Sequence, residues 1–182
     1  MKTENLEQTI TLPEGVSAQT QGFNLTLKGE KGELTRRFAS KRVTLTQEGA
    51  DLTIKAPLAT KKEKMLLNTF AAHIRNMIRG VTQGHNYELK VCSGHFPMNV
   101  SVKGNTFEVK NFIGEAVPRT MAIPQGPEVK VEGDKILVSG IDKELVAQVA
   151  ARIENLTKRP GFDTRIFQDG IYIVEKDGKK LA

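Results

Sequence analysis

The chain has 182 residues, of which 38% are apolar and 26% charged, a balance that excludes a disordered protein and allows one large or two small folded domains. Its formal net charge of +6 and its pI near 9.4 favour a polyanionic partner such as RNA, DNA or an anionic membrane. The single cysteine, Cys92, excludes an intramolecular disulfide and a thiolate-rich zinc site, and it suits a reducing compartment.

Short runs of alternating apolar and polar residues fill the first third of the chain. This period of two is typical of β-strands, and the turn residues between the runs indicate antiparallel hairpins. The predicted strands are residues 9–12, 23–28, 43–47 and 51–55.

The period changes to that of a helix after Thr60. Thr60 and Glu63 have the spacing of a capping box, in which each satisfies a free backbone donor of the other. With Gly80 just past its end, we predict one helix over about residues 61–79 that covers one face of the sheet. Its apolar face is formed by Leu66, Phe70, Ile74, Met77 and Ile78.

The second half of the chain repeats this order of elements. Asp142 should cap a second helix that ends at Pro160-Gly161 and whose apolar face holds Val146, Val149, Ala150, Ile153 and Leu156. We therefore predict an α+β protein of two tandem homologous domains, residues 1–82 and 83–182, each with small antiparallel sheets packed around one helix. The predicted strands of the second domain are residues 99–104, 106–112, 117–123, 129–133 and 135–140.

Similar peptides in the two halves support a duplication, with chance similarity between two β-rich halves as the alternative. Their separations are 75, 84 and 79 positions, and the changes fall between elements, where insertions are tolerated. The pairs are NLTLKG (24–29) with NVSVKG (99–104), LTIK (52–55) with ILVS (136–139), and AAHI (71–74) with AARI (150–153).

The sequence contains only weak patterns for a catalytic site, a metal site or a membrane-spanning segment. Cys92 and His95 would face opposite sides of a continuous strand, so only a turn at Gly94 could join them. His73 has no histidine or carboxylate three or four residues further on, and His85 has only the single carboxylate of Glu88, so we expect all three histidines to be structural. No phosphate-binding glycine motif, signal peptide or long apolar run occurs, so we expect no cofactor, small-molecule substrate or membrane span.

Basic residues are concentrated in the first half, which has 13 Lys and Arg against 8 acids. Six of them lie between Lys28 and Arg42, and others crowd the start of the first helix, where cations oppose the helix dipole. A phosphate-binding surface and an ordinary solvated face both explain these clusters. The candidate RNA-binding residues in this half are Arg36, Arg37, Lys61 and Lys62.

The segment after the second helix combines charges with aromatic side chains. Asp169-Gly170 is predicted to form a turn, followed by a closing strand over residues 171–174 and a basic tail. Arg165 suits phosphate contact. The aromatic side chains could stack on a base, but core packing is the expected role of Phe162, Phe167 and Tyr172.

Three separated motifs carry a family resemblance. They are RIFQDGIYIVEK (165–176), NMIRGVTQGHNYELK (76–90) and HFPMNVSVKG (95–104). The strongest is the R-x-F-x-D-G-[apolar]-Y arrangement that runs from Arg165 to Tyr172. Over essentially the whole chain, the sequence resembles the archaeal and eukaryotic branch of the ribosomal protein L six family of the large subunit. Bacterial members end differently, which favours an archaeal protein.

The resemblance implies a structural, non-enzymatic constituent of the cytoplasmic ribosome. It implies binding to 23S-type rRNA near the base of the factor-binding stalk and the sarcin-ricin region, largely through the C-terminal domain, next to other large-subunit proteins. Direct contact with translation factors stays open. The candidate rRNA-binding residues are Lys158, Arg159, Gly161, Arg165, Lys176, Lys179 and Lys180, together with the four basic residues of the first half.

Two alternatives belong to other functional classes. The first is a non-ribosomal interaction module that presents exposed sheet edges to a peptide. The second is a small hydrolase that uses Cys92 and His95.

Overall fold

The computed structural model describes residues 5–163 and 165–181. The chain divides into two compact units, Met1–Gly84 and His85–Ala182. Each unit has two antiparallel sheets and one long α-helix, so the predicted α+β fold is confirmed. Within the described ranges, neither helix combines the length and the apolarity needed to cross a membrane.

The first unit contains two three-stranded sheets in the orders β1-β6-β5 and β2-β3-β4. Its strands are β1 (Leu6–Thr11), β2 (Ser17–Gln21), β3 (Asn24–Gly29), β4 (Gly32–Arg37), β5 (Thr44–Glu48) and β6 (Asp51–Ala56). Leu25 and Leu27 of β3 and Leu52 and Ile54 of β6 are fully buried. Because side chains two apart share one face of a strand, each pair supplies one continuous apolar surface to the core.

The helix of this unit, α1, spans Lys61–Thr82 and is longer than predicted. Gly80 lies inside it and is buried, so its prediction as the residue after the helix is wrong. The helix ends instead where the backbone N–H groups of Gln83 and Gly84 both donate to the carbonyl of Arg79, at 2.8 and 3.0 Å. Gly84 has a φ of +77°, the left-handed conformation that glycine adopts at little cost after a helix.

The buried stripe of α1 is rotated relative to the prediction. Phe70, Ile74 and Met77 are buried as expected, but the predicted Leu66 and Ile78 are only half-buried. Their places in the core are taken by Leu67, Ala71 and Val81.

The second unit contains a three-stranded sheet, β10-β9-β8, and a five-stranded sheet, β11-β12-β7-β13-β14. Its strands are β7 (His85–Cys92), β8 (Asn99–Lys103), β9 (Thr106–Lys110), β10 (Arg119–Ala122), β11 (Glu128–Glu132), β12 (Lys135–Gly140), β13 (Gly170–Lys176) and β14 (Lys179–Lys180). The helix α2, Lys143–Leu156, buries Val146, Val149, Ala150 and Ile153 as predicted, and the Asp142 side chain caps it by accepting the Glu144 N–H at 2.8 Å.

Strand lengths differ from the predictions where the backbone leaves the extended region. The strand predicted over 106–112 ends at Lys110, because Asn111 adopts a left-handed φ of +57° and Phe112–Gly114 form a 3-10 turn. The helix α2 stops at Leu156, before the predicted stop at Pro160. The predictions missed β2 and β4 altogether.

The order of strands identifies the repeated parts of the two units. The sheets β1-β6-β5 and β2-β3-β4 correspond in chain order to β7-β12-β11 and β8-β9-β10. In this correspondence NLTLKG is the central strand β3, whereas NVSVK is the edge strand β8. The predicted match between these two peptides is therefore wrong.

The true counterpart of β3 is β9, TFEVK, which begins 82 positions later. Leu25 and Leu27 then correspond to Phe107 and Val109, and all four side chains are fully buried. This separation of 82 is close to the 84 positions between β6 and β12, so the apparent insertion between the repeated elements largely disappears.

Candidate nucleic-acid interface

The C-terminal end of α2 holds two of the predicted RNA-binding cations, Lys158 and Arg159. The helix end is fixed by Thr157, whose hydroxyl donates to the Glu154 carbonyl at 3.2 Å and accepts the Ile171 N–H at 2.9 Å. Cations just past a helix C-terminus are stabilised by the helix dipole. The two cations are thus held on a defined end of the helix.

Arg119 of β10 positions this end of the helix and was missed from the sequence. Its Nη1 donates to the carbonyls of Leu156 and Lys158, at 2.7 and 3.4 Å. Its Nε and Nη2 donate to both oxygens of Glu115, at 2.8 and 2.6 Å, and these bonds hold the pKa of Glu115 below its ordinary value. Its guanidinium lies 4.3 Å from the ring centre of Phe112. In the sequence, the only indication of this role was the presence of an arginine in an otherwise uncharged strand.

A cavity of about 470 Å³ opens beside the end of α2. Three predicted site residues, Lys158, Arg159 and Gly161, line it together with the start of β13. The structure therefore brings together one group of the predicted residues around a space large enough for a small ligand.

Aromatic side chains form much of the cavity wall. Phe162 and Phe167 meet edge to face at 5.0 Å between ring centres, and the Arg159 guanidinium lies 4.1 Å from the centre of the Phe162 ring. Phe162 and Tyr172 are 38% and 40% exposed, so the prediction of core packing is wrong for both. The Ile171 side chain is buried on one face of the strand, and its neighbour Tyr172 therefore points to the other face.

The side chain of Asp169, which lines the cavity, is hydrogen-bonded to the loop after β7. Its Oδ1 accepts the backbone N–H groups of Gly94 and His95 at 2.7 and 2.9 Å, and its Oδ2 contacts Nδ1 of His95 at 2.5 Å. Burial pushes the pKa of Asp169 up, but the hydrogen bonds from His95 and Gly94 outweigh it, and the pKa lies below its ordinary value. The predicted turn at Asp169-Gly170 is wrong, because Gly170 begins β13 opposite Cys92.

Tyr172 keeps its phenolic proton at neutral pH. Burial raises the pKa of Tyr172, and the charges of Cys92, Asp169 and Glu154 raise it further. The cavity therefore presents a hydroxyl that can donate as well as accept.

Arg165 does not line the cavity. Its side chain is 88% exposed and forms a two-pronged contact with Asp163, with Nε–Oδ1 and Nη2–Oδ2 distances of 3.1 and 2.7 Å. The contact with Arg165 holds the pKa of Asp163 below its ordinary value. Because an exposed ion pair contributes little stability, a phosphate can compete for this guanidinium.

Lys176, Lys179 and Lys180 lie on the β13–β14 hairpin, so the predicted basic tail is a structured element. Asp177 and Gly178 form its turn with φ values of +50° and +81°. By the rise along β13, this hairpin lies about 20 Å from the cavity.

His85 is the fully buried first residue of β7. Its Nδ1 lies 2.9 Å from Oδ2 of Asp177, whose other oxygen accepts the Asn86 N–H at 3.1 Å. These contacts anchor the β13–β14 hairpin to β7.

The predicted cations of the first unit fall into two groups. Arg36 and Arg37 lie on β4, where Nη2 of Arg36 approaches Nε2 of His73 at 3.4 Å. Lys61 and Lys62 are exposed at the first turn of α1, about 18 Å along the helix from His73. The structure does not bring these four residues into one cluster.

The predicted capping box at Thr60 and Glu63 is confirmed. Oε2 of Glu63 accepts the Thr60 backbone N–H at 2.9 Å and the Thr60 hydroxyl, and Oε1 lies 3.1 Å from Nη1 of Arg42. The side-chain bond from Thr60 is the main cause that lowers the pKa of Glu63 to about 2. This carboxylate offsets the unfavourable position of Lys61 and Lys62 at the positive end of the helix dipole.

Glu63→Gln should change the acid stability of the first unit. The pKa of Glu63 is lowered from 4.5 to about 2 on folding, so its contribution is present above about pH 4.5 and is lost as the pH falls towards 2. We expect wild type to melt at a higher temperature than Glu63→Gln at pH 7, and this difference to shrink by about pH 2, in circular dichroism melts. The matched control is Glu48→Gln on β5. A constant difference across this range contradicts the assignment.

The sequence comparisons agree with the paired units. The model of the family described as ribosomal protein L6 matches residues 12–84 and, a second time, residues 96–170. The chain belongs to the ribosomal protein L6 family. The two matches begin 84 positions apart, which supports the strand correspondence above and not the separation of 75 between the hexapeptides. The predicted tandem duplication is confirmed.

Individual relatives of this family resemble the chain over nearly its full length. Three archaeal proteins named large ribosomal subunit protein uL6 are each 42% identical to it. The alignment with the Methanococcus vannielii protein covers 97% of both chains. Those with the Ignicoccus hospitalis and Methanothrix thermoacetophila proteins cover 92% and 95% of this chain and 93% and 98% of the relatives.

Membership of the L6 family decides between the functional classes considered from the sequence. The protein is a structural constituent of the large ribosomal subunit and not an enzyme, as predicted. As a ribosome component it is cytoplasmic and is incorporated alongside rRNA and other ribosomal proteins. The hydrolase based on Cys92 and His95 and the non-ribosomal interaction module are therefore both wrong.

Proposed function

We propose that this protein binds 23S-type rRNA near the base of the factor-binding stalk and the sarcin-ricin region. There it stabilises rRNA tertiary structure next to neighbouring large-subunit proteins and within reach of translation factors. The family resemblance supports this location. The observation that supports RNA contact most directly is the pairing of Lys158 and Arg159 with the exposed aromatic side chain of Phe162.

Cations and aromatic faces side by side suit single-stranded or irregular RNA. Lys158 and Arg159 neutralise phosphates with release of counterions, whereas Phe162 offers a face on which an unpaired base stacks. Arg165, with its planar guanidinium in solvent, is suited to two-pronged contact with a phosphate. The C-terminal domain of residues 83–182 thus supplies the main contact.

Further basic surfaces allow the same protein to touch RNA at more than one point. The lysines of the β13–β14 hairpin form a second surface about 20 Å from the first. Arg36, Arg37, Lys61 and Lys62 supply separate contacts from the domain of residues 1–82. Cations spaced along one folded unit fix the distance between the RNA segments that they bind, which is how such a protein stabilises tertiary structure.

Lys158→Glu should weaken incorporation into the large subunit about tenfold while the fold stays intact, because one charge-assisted phosphate contact is replaced by repulsion. Sucrose-gradient sedimentation of subunits assembled with the full chain measures incorporation. Arg165→Glu is the second variant. Lys130→Glu, at an exposed lysine of β11 in the same unit, is the matched control. Equal incorporation of Lys158→Glu and Lys130→Glu would defeat the proposal.

A further inference from the structure

The cavity at the end of α2 combines an aromatic wall, hydrogen-bonding groups and cations in one place. We infer that it receives one unstacked nucleobase of the rRNA, with guanine preferred, while the phosphate of that nucleotide lies outside against Lys158 and Arg159. The inference rests on the proposed function and names the ligand of its main site.

Stacking surfaces are the first argument for a base. Phe162, Phe167 and Tyr172 all line the cavity, and Phe162 and Tyr172 keep more than a third of their surface exposed. The Arg159 guanidinium covers one face of the Phe162 ring, so the surfaces open to a planar ligand are the rest of that ring and the exposed part of Tyr172. A flipped-out base gains stacking on such faces.

The polar groups favour a base that carries donors. Oε1 of Glu154 accepts the Ile173 N–H at 3.2 Å, and a carboxylate has further acceptor sites with which it can face the cavity that it lines. Guanine presents two donor groups, N1–H and the exocyclic amine, on its Watson–Crick edge, whereas uracil presents one.

The charges also fix which part of the nucleotide enters. A phosphate inside the cavity would meet the carboxylates of Glu154 and Asp169, which repel it. Lys158 is exposed, and the guanidinium of Arg159 lies over Phe162. The base therefore enters and the phosphate stays near the cations.

The backbone at Ile113 shows that this part of the cavity wall has a fixed conformation and is not a loose loop. Ile113 lines the cavity with φ and ψ of +47° and +41°, a left-handed conformation that is unfavourable for a β-branched residue. Such a conformation persists only where the surrounding structure holds it, and it is common at ligand sites. The neighbouring Phe112 is almost fully buried and fixes this turn in the core.

Chemical probing of rRNA in assembled large subunits tests the inference. Kethoxal modifies N1 and the exocyclic amine of accessible guanines, so a guanine in the cavity is protected in subunits that contain the wild-type chain. Glu154→Gln keeps an acceptor for the Ile173 N–H but loses the charge, and Phe162→Leu keeps apolar volume but loses the ring. With either variant, the reactivity of one protected guanine should rise at least about fivefold. Phe23→Leu, at an exposed phenylalanine of the first unit, should change nothing.

An unchanged guanine pattern with both variants overturns the inference. Should a variant fail to assemble, Tyr172→p-benzoylphenylalanine provides a second measurement, because its photo-crosslink identifies what fills the cavity. A crosslink to a guanine supports the inference, and a crosslink to a ribosomal protein or to another base refutes it. Failure of the proposed function is separate, since it appears as normal incorporation of Lys158→Glu.

Discussion

Replacing Asp169 with alanine should lower the free energy of unfolding of the second unit by about 3 to 4 kcal/mol. The Asp169 side chain is almost fully buried and makes three contacts, with the backbone N–H groups of Gly94 and His95 and with the His95 ring. Each hydrogen bond to a charged group contributes about 1.5 to 3 kcal/mol, and the alanine variant leaves the two backbone donors without their acceptor. The loop after β7 then separates from the cavity.

Urea unfolding monitored by circular dichroism measures the loss. Asp169→Asn retains one acceptor oxygen and should lose about half as much stability as the alanine variant. Asp134→Ala removes an exposed carboxylate from the same unit and should be nearly neutral. Similar midpoints for Asp169→Ala and Asp134→Ala would show that Asp169 does not hold this loop.

Local patterns predicted the parts of the fold that depend on neighbouring residues. The capping box of Thr60 and Glu63 and the cap at Asp142 were correct, because a cap joins residues only two or three positions apart. The end of α1 was not predicted correctly, since Gly80 resembles a terminal glycine in sequence but is buried inside the helix, which continues to Thr82.

The strand repeats show why alternation alone cannot assign equivalent strands. NLTLKG and NVSVKG share every residue class, yet Leu27 is fully buried in a central strand and Val102 is half-buried in an edge strand. A central strand and an edge strand differ in the elements that pack against their faces and in the strands that pair with their edges. Neither difference can be predicted from a sequence of six residues.

The candidate site was predictable only in part, for the same reason. Lys158 and Arg159 lie together because they are adjacent in sequence. The contact that closes the cavity joins His95 to Asp169 across 74 positions, and that of Arg119 to Lys158 spans 39. Such contacts depend on sheet order and cannot be inferred from spacing.

The two hexapeptides end in glycines that have different physical roles. A Cβ added at Gly29 would lie 2.7 Å from the carbonyl oxygen of Val81, which already accepts the Lys31 N–H at 3.0 Å. Gly104 instead has a φ of +58° and open space around it. The first glycine is required for close approach of β3 to α1, and the second for a left-handed turn.

Gly29→Ala should therefore lower the free energy of unfolding of the first unit by about 2 to 4 kcal/mol, because a backbone carbonyl cannot move aside as a side-chain end can. Gly104→Ala should cost the second unit about 1 kcal/mol, the ordinary strain of alanine in the left-handed region.

Hydrogen exchange measured by NMR reports on the two units separately. Gly29→Ala should accelerate exchange of the Lys31, Gln83 and Gly84 amides, whereas Gly104→Ala should leave them unchanged. Gly104→Asn should recover part of the smaller loss, since asparagine tolerates a positive φ, and Gly29→Asn should be no better than Gly29→Ala. Equal losses for the two alanine variants would mean that the shared Lys-Gly reflects a common turn requirement, contrary to the central and edge positions of β3 and β8.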